Sequence, residues 1–144
     1  MRTCAALAFL AVVLAVEAVN DRPIIGVLDQ DFVDGSKRTF IAASYVKWVE
    51  SGGARVAPLF YEKWSADEMV SMLKNVNGVL LPGGGVSMTG KYYAQLQVVF
   101  NYAKQSNDNG VYFPIWGSCL GVCSFFLLLC SCSLLFMIAF CVKF

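Results

Sequence analysis

The sequence predicts an α/β fold: a partial open parallel sheet with helices on both faces, followed by an apolar C-terminal helix. Three observations carry this. From Val19 to Gly117, short β-like runs alternate with stretches of helical periodicity, the pattern of a parallel sheet covered by helices. Two glycine-rich turns, Pro82-Gly83-Gly84-Gly85 and Gly117-Ser118-Cys119-Leu120-Gly121, each follow an apolar run, which puts both at the carboxyl ends of strands. Finally, no charged residue occurs between Val111 and Val142, and the chain closes on an apolar block, Phe125 to Val142.

The elements follow in order. Pro23 to Leu28 is the first strand, opened by a proline that suits a strand start or edge. A polar loop, Asp29 to Arg38, leads to a helix over Thr39 to Ser51 with Ile41, Tyr45, Trp48 and Val49 on one face. Gly52-Gly53 ends it, since glycine tolerates the left-handed conformation that closes a helix. The second strand is Ala54 to Phe60. Ser65 and Glu68 form a capping box, each satisfying the other's free backbone donor, at the start of a helix running to about Val76. Asn77 to Leu81 is a short apolar strand, cut off by the Pro82 turn. Tyr92, Leu96, Val99 and Ala103 make the buried stripe of a helix over Lys91 to Ser106, which Asn107-Asp108-Asn109-Gly110 breaks. Val111 to Trp116 is the fourth strand and delivers the chain to Cys119. With no internal repeat or low-complexity linker, residues 19–121 form one α/β unit, small enough that its core is marginal.

Arg2, an uncharged run from Thr3 to Val16, and Val16-Glu17-Ala18 read as a signal peptide cleaved after Ala18, which sends the chain into the secretory pathway. The run is shorter than the roughly 20 apolar residues a membrane span needs. At the other end, Gly121 to Val142 as a helix would extend about 33 Å, enough to cross a hydrocarbon core. Two readings of residues 122–144 stay open: membrane contact or a span through 122–142, with Lys143 just past it, and a non-native ending that resembles a span by composition.

The net charge of +1 supplies no basic stripe, so nucleic acid is excluded as a partner. Five cysteines remain after the leader, crowded into the last quarter, which argues against a disulfide framework. Cys130 and Cys132 lack the repeated pairs or histidines of a zinc site, so no metal and no cofactor is expected. No Gly-Lys-Ser/Thr follows the glycines, and the G-x-G-x-x-G spacing is missing, so phosphate-loop and dinucleotide readings fail.

What remains is nucleophilic chemistry. A cysteine on a tight turn at a helix N-terminus meets unpaired amides and the helix dipole, which favour the thiolate. Acyl transfer then needs donors for the oxyanion. The amide of Leu120, next after Cys119, supplies one by nucleophile-elbow geometry, and a glycine amide of the other loop, Gly84, supplies the second. Taken singly, a Pro-Gly-Gly-Gly run is a turn and a strand-end cysteine a small hydrophobe; the pair points to a cysteine amide hydrolase. Against it stands the absence of histidine from the chain, the side chain that most often serves such a thiol as base and acid. Asp29, Asp31 and Asp34 follow the first strand and read as a solvated loop.

The chain resembles the gamma-glutamyl hydrolase family, cysteine peptidases related to class I glutamine amidotransferases. The resemblance covers Arg22 to Gly121: Arg22-Pro23-Ile24-Ile25-Gly26-Val27-Leu28, Tyr45-Val46-Lys47, Gly53-Ala54-Arg55-Val56, Leu81-Pro82-Gly83-Gly84-Gly85, the Asn109 to Pro114 approach, and Pro114 to Gly121. It implies a secreted, lysosomal or vacuolar hydrolase that cleaves the gamma-glutamyl bonds of folylpoly-gamma-glutamates through a cysteinyl thioester on Cys119, with a homo-oligomer as a further expectation. Family members use a histidine and an acidic residue further along. After Gly121 the resemblance stops abruptly, so the expectation is a truncated, weak or inactive form. The alternative is a non-catalytic, membrane-tethered α/β module that binds a partner.

Overall fold

The computed structural model describes residues 22–32, 34, 36, 38–129 and 141–142; the expected leader and residues 130–140 lie outside them. A five-stranded sheet forms from β1 (Ile24–Leu28), β4 (Arg55–Leu59), β5 (Gly78–Leu81), β6 (Ile115–Gly117) and β7 (Cys141–Val142), in the order β4-β1-β5-β6-β7. The first four are parallel, and β7 pairs antiparallel with β6. Between them run α1 (Ala43–Ser51), α2 (Ala66–Leu73), α3 (Gly90–Asp108) and α4 (Leu120–Leu129). A separate two-stranded hairpin pairs β2 (Gln30–Asp31) with β3 (Thr39–Phe40).

Alternation along the strands assigns the two faces. Val27 and Leu80 are buried with Val49 and against Tyr45 of α1, while Leu28, Val79, Leu81 and Ile115 join Met69 and Leu73 of α2 and Leu96 and Val99 of α3. Helices therefore cover both faces. The chain leaves β1 by way of α1 to reach β4 on one side. It then recrosses by way of α2 to β5 on the other, so the strand order reverses between β1 and β5. In open α/β sheets that reversal opens a crevice beyond the carboxyl ends of the strands.

Local chemistry explains most boundaries. The capping box at α2 is present: Ser65 N–H donates to Glu68 Oε2 at 2.7 Å and Glu68 N–H to Ser65 Oγ at 3.3 Å. Gly53, just past α1, takes φ +84°. The stripe Tyr92, Leu96, Val99, Ala103 is buried throughout.

Four expectations are corrected. The helix expected from Thr39 begins at Ala43, because Thr39–Phe40 is used as a strand: Phe32 N–H donates to Arg38 O at 3.1 Å and the Phe32 and Phe40 rings meet at 4.5 Å. The loop from Asp29 therefore carries a strand of its own. Strand β6 starts at Ile115 rather than Val111, since the Asn107 side chain takes both the N–H and the C=O of Phe113 before the strand can. On α1, Trp48 leaves the buried face and is 54 % exposed.

Of the expected apolar helix to Val142, residues 130–140 lie outside the described residues. It is described from Leu120 to Leu129, and Cys141–Val142 form a strand on β6, where the edge backbone of β6 gains a partner. Among the described residues, no helix is long and apolar enough to cross a membrane.

Candidate functional site

Strands β5 and β6 end side by side, with Leu81 opposite Gly117, and Ser118 N–H donates to Leu81 O at 3.0 Å. That bond starts both loops from one point. Cys119 then takes φ +52°, the left-handed conformation, among the described residues the one non-glycine to do so. Such a conformation costs roughly 1–2 kcal/mol for a residue with a Cβ and persists where the surroundings dictate it. Here the surroundings are the first turn of α4: Gly121 N–H donates to Ser118 O and Val122 N–H to Cys119 O, each at 2.9 Å. Gly121 is required for this packing, because a Cβ there would lie 2.1 Å from Leu81 O. The thiol is left exposed at the start of the helix. Leu120 opens α4, so its N–H has no intrahelical acceptor.

The glycine loop meets this turn from β5. A Cβ on Gly83 would lie 2.9 Å from Cys119 Cβ and 2.9 Å from Tyr45 Oη. The backbone of Gly83 therefore touches the cysteine, and only a residue without a side chain fits. Its N–H donates to Tyr45 Oη at 2.9 Å, and Tyr45 Oη reaches Ser118 Oγ at 3.5 Å. Gly84, the expected second donor, is exposed and backed by the Gln30 side chain, whose Oε1 would stand 2.4 Å from a Cβ at that position. Cys119 and Leu120 thus share a turn, Gly83 closes on it, and Gly84 lies one residue beyond. Tyr45 is the residue sequence reasoning missed: its place on the apolar face of α1 hides a hydroxyl at the tip.

The loop after β1 supplies a polar wall. Asp29 and Gln30 are both buried, so Asp29 is not a solvated loop residue. Its Oδ1 accepts the Tyr61 N–H at 2.8 Å, while Oδ2 has no partner of hydrogen-bonding geometry. Burial pushes its carboxyl above the ordinary range, opposed by the Thr39 hydroxyl and the Tyr61 amide. Asp31 accepts the Tyr61 hydroxyl, and Tyr61 is raised first by burial and then by that carboxylate. Gln30 Nε2 donates to Tyr92 Oη at 2.7 Å; the Tyr92 hydroxyl, buried, is pushed up to about 12. Asp34 is exposed and paired with Arg38 at 2.7 Å.

On the α1 side, Ser44, Tyr45, Trp48, Trp116 and Ser118 line a cavity of about 370 Å³ beside the Cys119 turn. A second, apolar cavity of about 490 Å³ shares Trp48 and Trp116 with it and extends over Ile25, Leu80 and Pro114. Among the described residues no cluster of three metal-ligating side chains occurs.

An open parallel sheet with a strained cysteine between strand and helix, closed by a glycine loop from the neighbouring strand, defines an α/β protein of the cysteine-elbow class. No family model matches the chain. Gamma-glutamyl hydrolase of Rattus norvegicus is 44% identical over 110 residues, 74% of this chain and 34% of the relative. That of Homo sapiens is 44% identical over 105 residues, 69% of this chain and 33% of the relative, and gamma-glutamyl hydrolase B of Dictyostelium discoideum is 40% identical over 113 residues, 74% and 32%. The chain belongs to the gamma-glutamyl hydrolase family, and it spans about a third of the length of these relatives.

Proposed function

We propose that the chain carries the acyl-transfer half of a gamma-glutamyl hydrolase site, directed at the gamma-glutamyl bonds of folylpoly-gamma-glutamates. The observation that carries this reading is the close approach of Gly83 to Cys119, whose backbone is held at φ +52°. The Cys119 sulfur forms a bond to the amide carbon and the carbonyl pair moves onto oxygen, where the N–H groups of Leu120 and Gly84 receive it. Collapse of that oxyanion expels the amine, which takes up a proton, and leaves a thioester that water hydrolyses.

The proton steps are where these 144 residues fall short, because none is a histidine. Each proton-transfer role contributes roughly 10²- to 10⁴-fold. Neither Asp29, buried two strands away, nor Asp31, engaged by Tyr61, replaces an imidazole beside the thiol. Turnover by this chain alone is weak or absent, and thiol chemistry persists. The apolar leader supports synthesis into the secretory pathway, toward a secreted, lysosomal or vacuolar destination.

The test is glutamate release from a pteroyl-polyglutamate by the purified chain, alongside iodoacetamide labelling and peptide mapping. Labelled Cys119 without glutamate release is expected. Hydrolysis that Cys119→Ala abolishes would overturn the claim of inactivity; a thiol inert to the reagent would overturn the nucleophile.

A further inference from the structure

We infer that Tyr45 is a positioning residue, one that decides which backbone amide of the glycine loop is left to face an acyl group on Cys119. The inference rests on the acyl-transfer reading above and adds to it a residue on a different element. The ring of Tyr45 packs with Val27, Val49 and Leu80, so its hydroxyl is fixed by the α1 side of the core. From there Oη accepts the Gly83 N–H at 2.9 Å and stands 3.5 Å from Ser118 Oγ, touching the loops after β5 and β6 at once.

Two consequences follow. The Gly83 amide is already engaged by a hydroxyl, so it is not the free donor of this loop. The Gly84 N–H belongs to the next peptide unit, joined to that anchored amide through only the φ and ψ of Gly83, so two rotations are left to be limited. Gln30 restricts it from the other side: it is 2 % exposed, its Oε1 has no hydrogen-bond partner, and its side chain packs where a Gly84 Cβ would be. The loop is held between a phenol and a carboxamide, and the amide presented is that of Gly84.

A carbonyl probe separates this role from general stability. Succinic semialdehyde adds to a thiolate: the C–S bond forms, the carbonyl pair moves to oxygen, and that oxygen takes a proton, giving a reversible thiohemiacetal. Methyl methanethiosulfonate transfers a methylthio group to the same sulfur, expels sulfinate and generates no oxyanion. Both are applied to the full 144-residue chain and to Tyr45→Phe. We expect Tyr45→Phe to weaken the aldehyde adduct about tenfold, the scale of one mispositioned hydrogen bond, with the methylthiolation rate unchanged and faster hydrogen exchange at the Gly83 amide. Equal adduct affinity in the two chains overturns the inference and leaves the acyl-transfer reading standing. Parallel loss with both reagents overturns it in favour of a structural role. No aldehyde adduct in the unsubstituted chain, with methylthiolation intact, overturns the acyl-transfer reading and this inference with it.

Discussion

Gly83→Ala tests the geometry of the site most directly. The added methyl would lie 2.9 Å from both Cys119 Cβ and Tyr45 Oη, and 3.4 Å from Ser118 O. Carbon atoms settle at about 3.5–4.0 Å, so the two loops must separate by roughly 0.6–1.1 Å. Neither neighbour yields easily. Cys119 Cβ is fixed by its own backbone, and Tyr45 by its ring among buried aliphatic side chains. Overpacking of this kind costs typically 1–3 kcal/mol, and a misplacement near 1 Å at a reacting centre costs on the order of 10²-fold in rate. We expect a fall in urea midpoint together with a loss of aldehyde addition at Cys119 larger than the stability change accounts for. The control is Gly52→Ala, where the new methyl meets only Val49 O at 3.4 Å and φ is −85°. If Gly83→Ala matches that control in both midpoint and adduct affinity, the loops do not meet at the thiol and the site is wrongly assembled.

Other outcomes follow from single contacts. Ser65→Ala breaks the capping box of α2 and should cost about 1 kcal/mol, read as a lower Tm by roughly 4–8 °C in a domain of this size. Asp29 carries a raised carboxyl pKa from burial, so the folded chain binds its proton more tightly than the unfolded chain does. Stability from this group is therefore full below the ordinary carboxylate range, near 3.8, and is lost as pH rises through the raised native value. Urea titrations should show that decline, and Asp29→Asn should flatten it. Cys119→Gly relieves a left-handed Cβ and should raise stability by about 1 kcal/mol while abolishing thiol labelling at that turn; a destabilised variant would refute the strain.

Sequence periodicity exposed the order of strands and helices because burial alternates cleanly: Leu28 and Val27 go to opposite faces, and the Tyr92 stripe returns every third or fourth residue. The two loops were legible for the same reason, since glycine runs after apolar strands mark carboxyl ends. Strand limits were less so. Val111 to Phe113 have strand-like side chains, but the Asn107 carboxamide, six residues back, claims the backbone of Phe113, and side-chain pattern alone does not show that bond. Periodicity draws Thr39 and Phe40 into a helix because their partners, Asp31 and Gln30, lie across a loop. Tyr45 shows the remaining blind spot. An aromatic residue on an apolar helix face says nothing of where its hydroxyl ends, and only the packing of α1 on β1 and β5 brings that oxygen to Gly83.

The elbow at Cys119 has a bearing on how this polypeptide would change over time. Glycine, and to a lesser degree asparagine, would occupy the same dihedral angles with less penalty. A copy released from chemical duty therefore gains by exchanging the whole cysteine side chain for hydrogen, and folding alone gives no reason to keep it. Counting what stands at this one codon across populations would gauge whether the thiol is still being put to use.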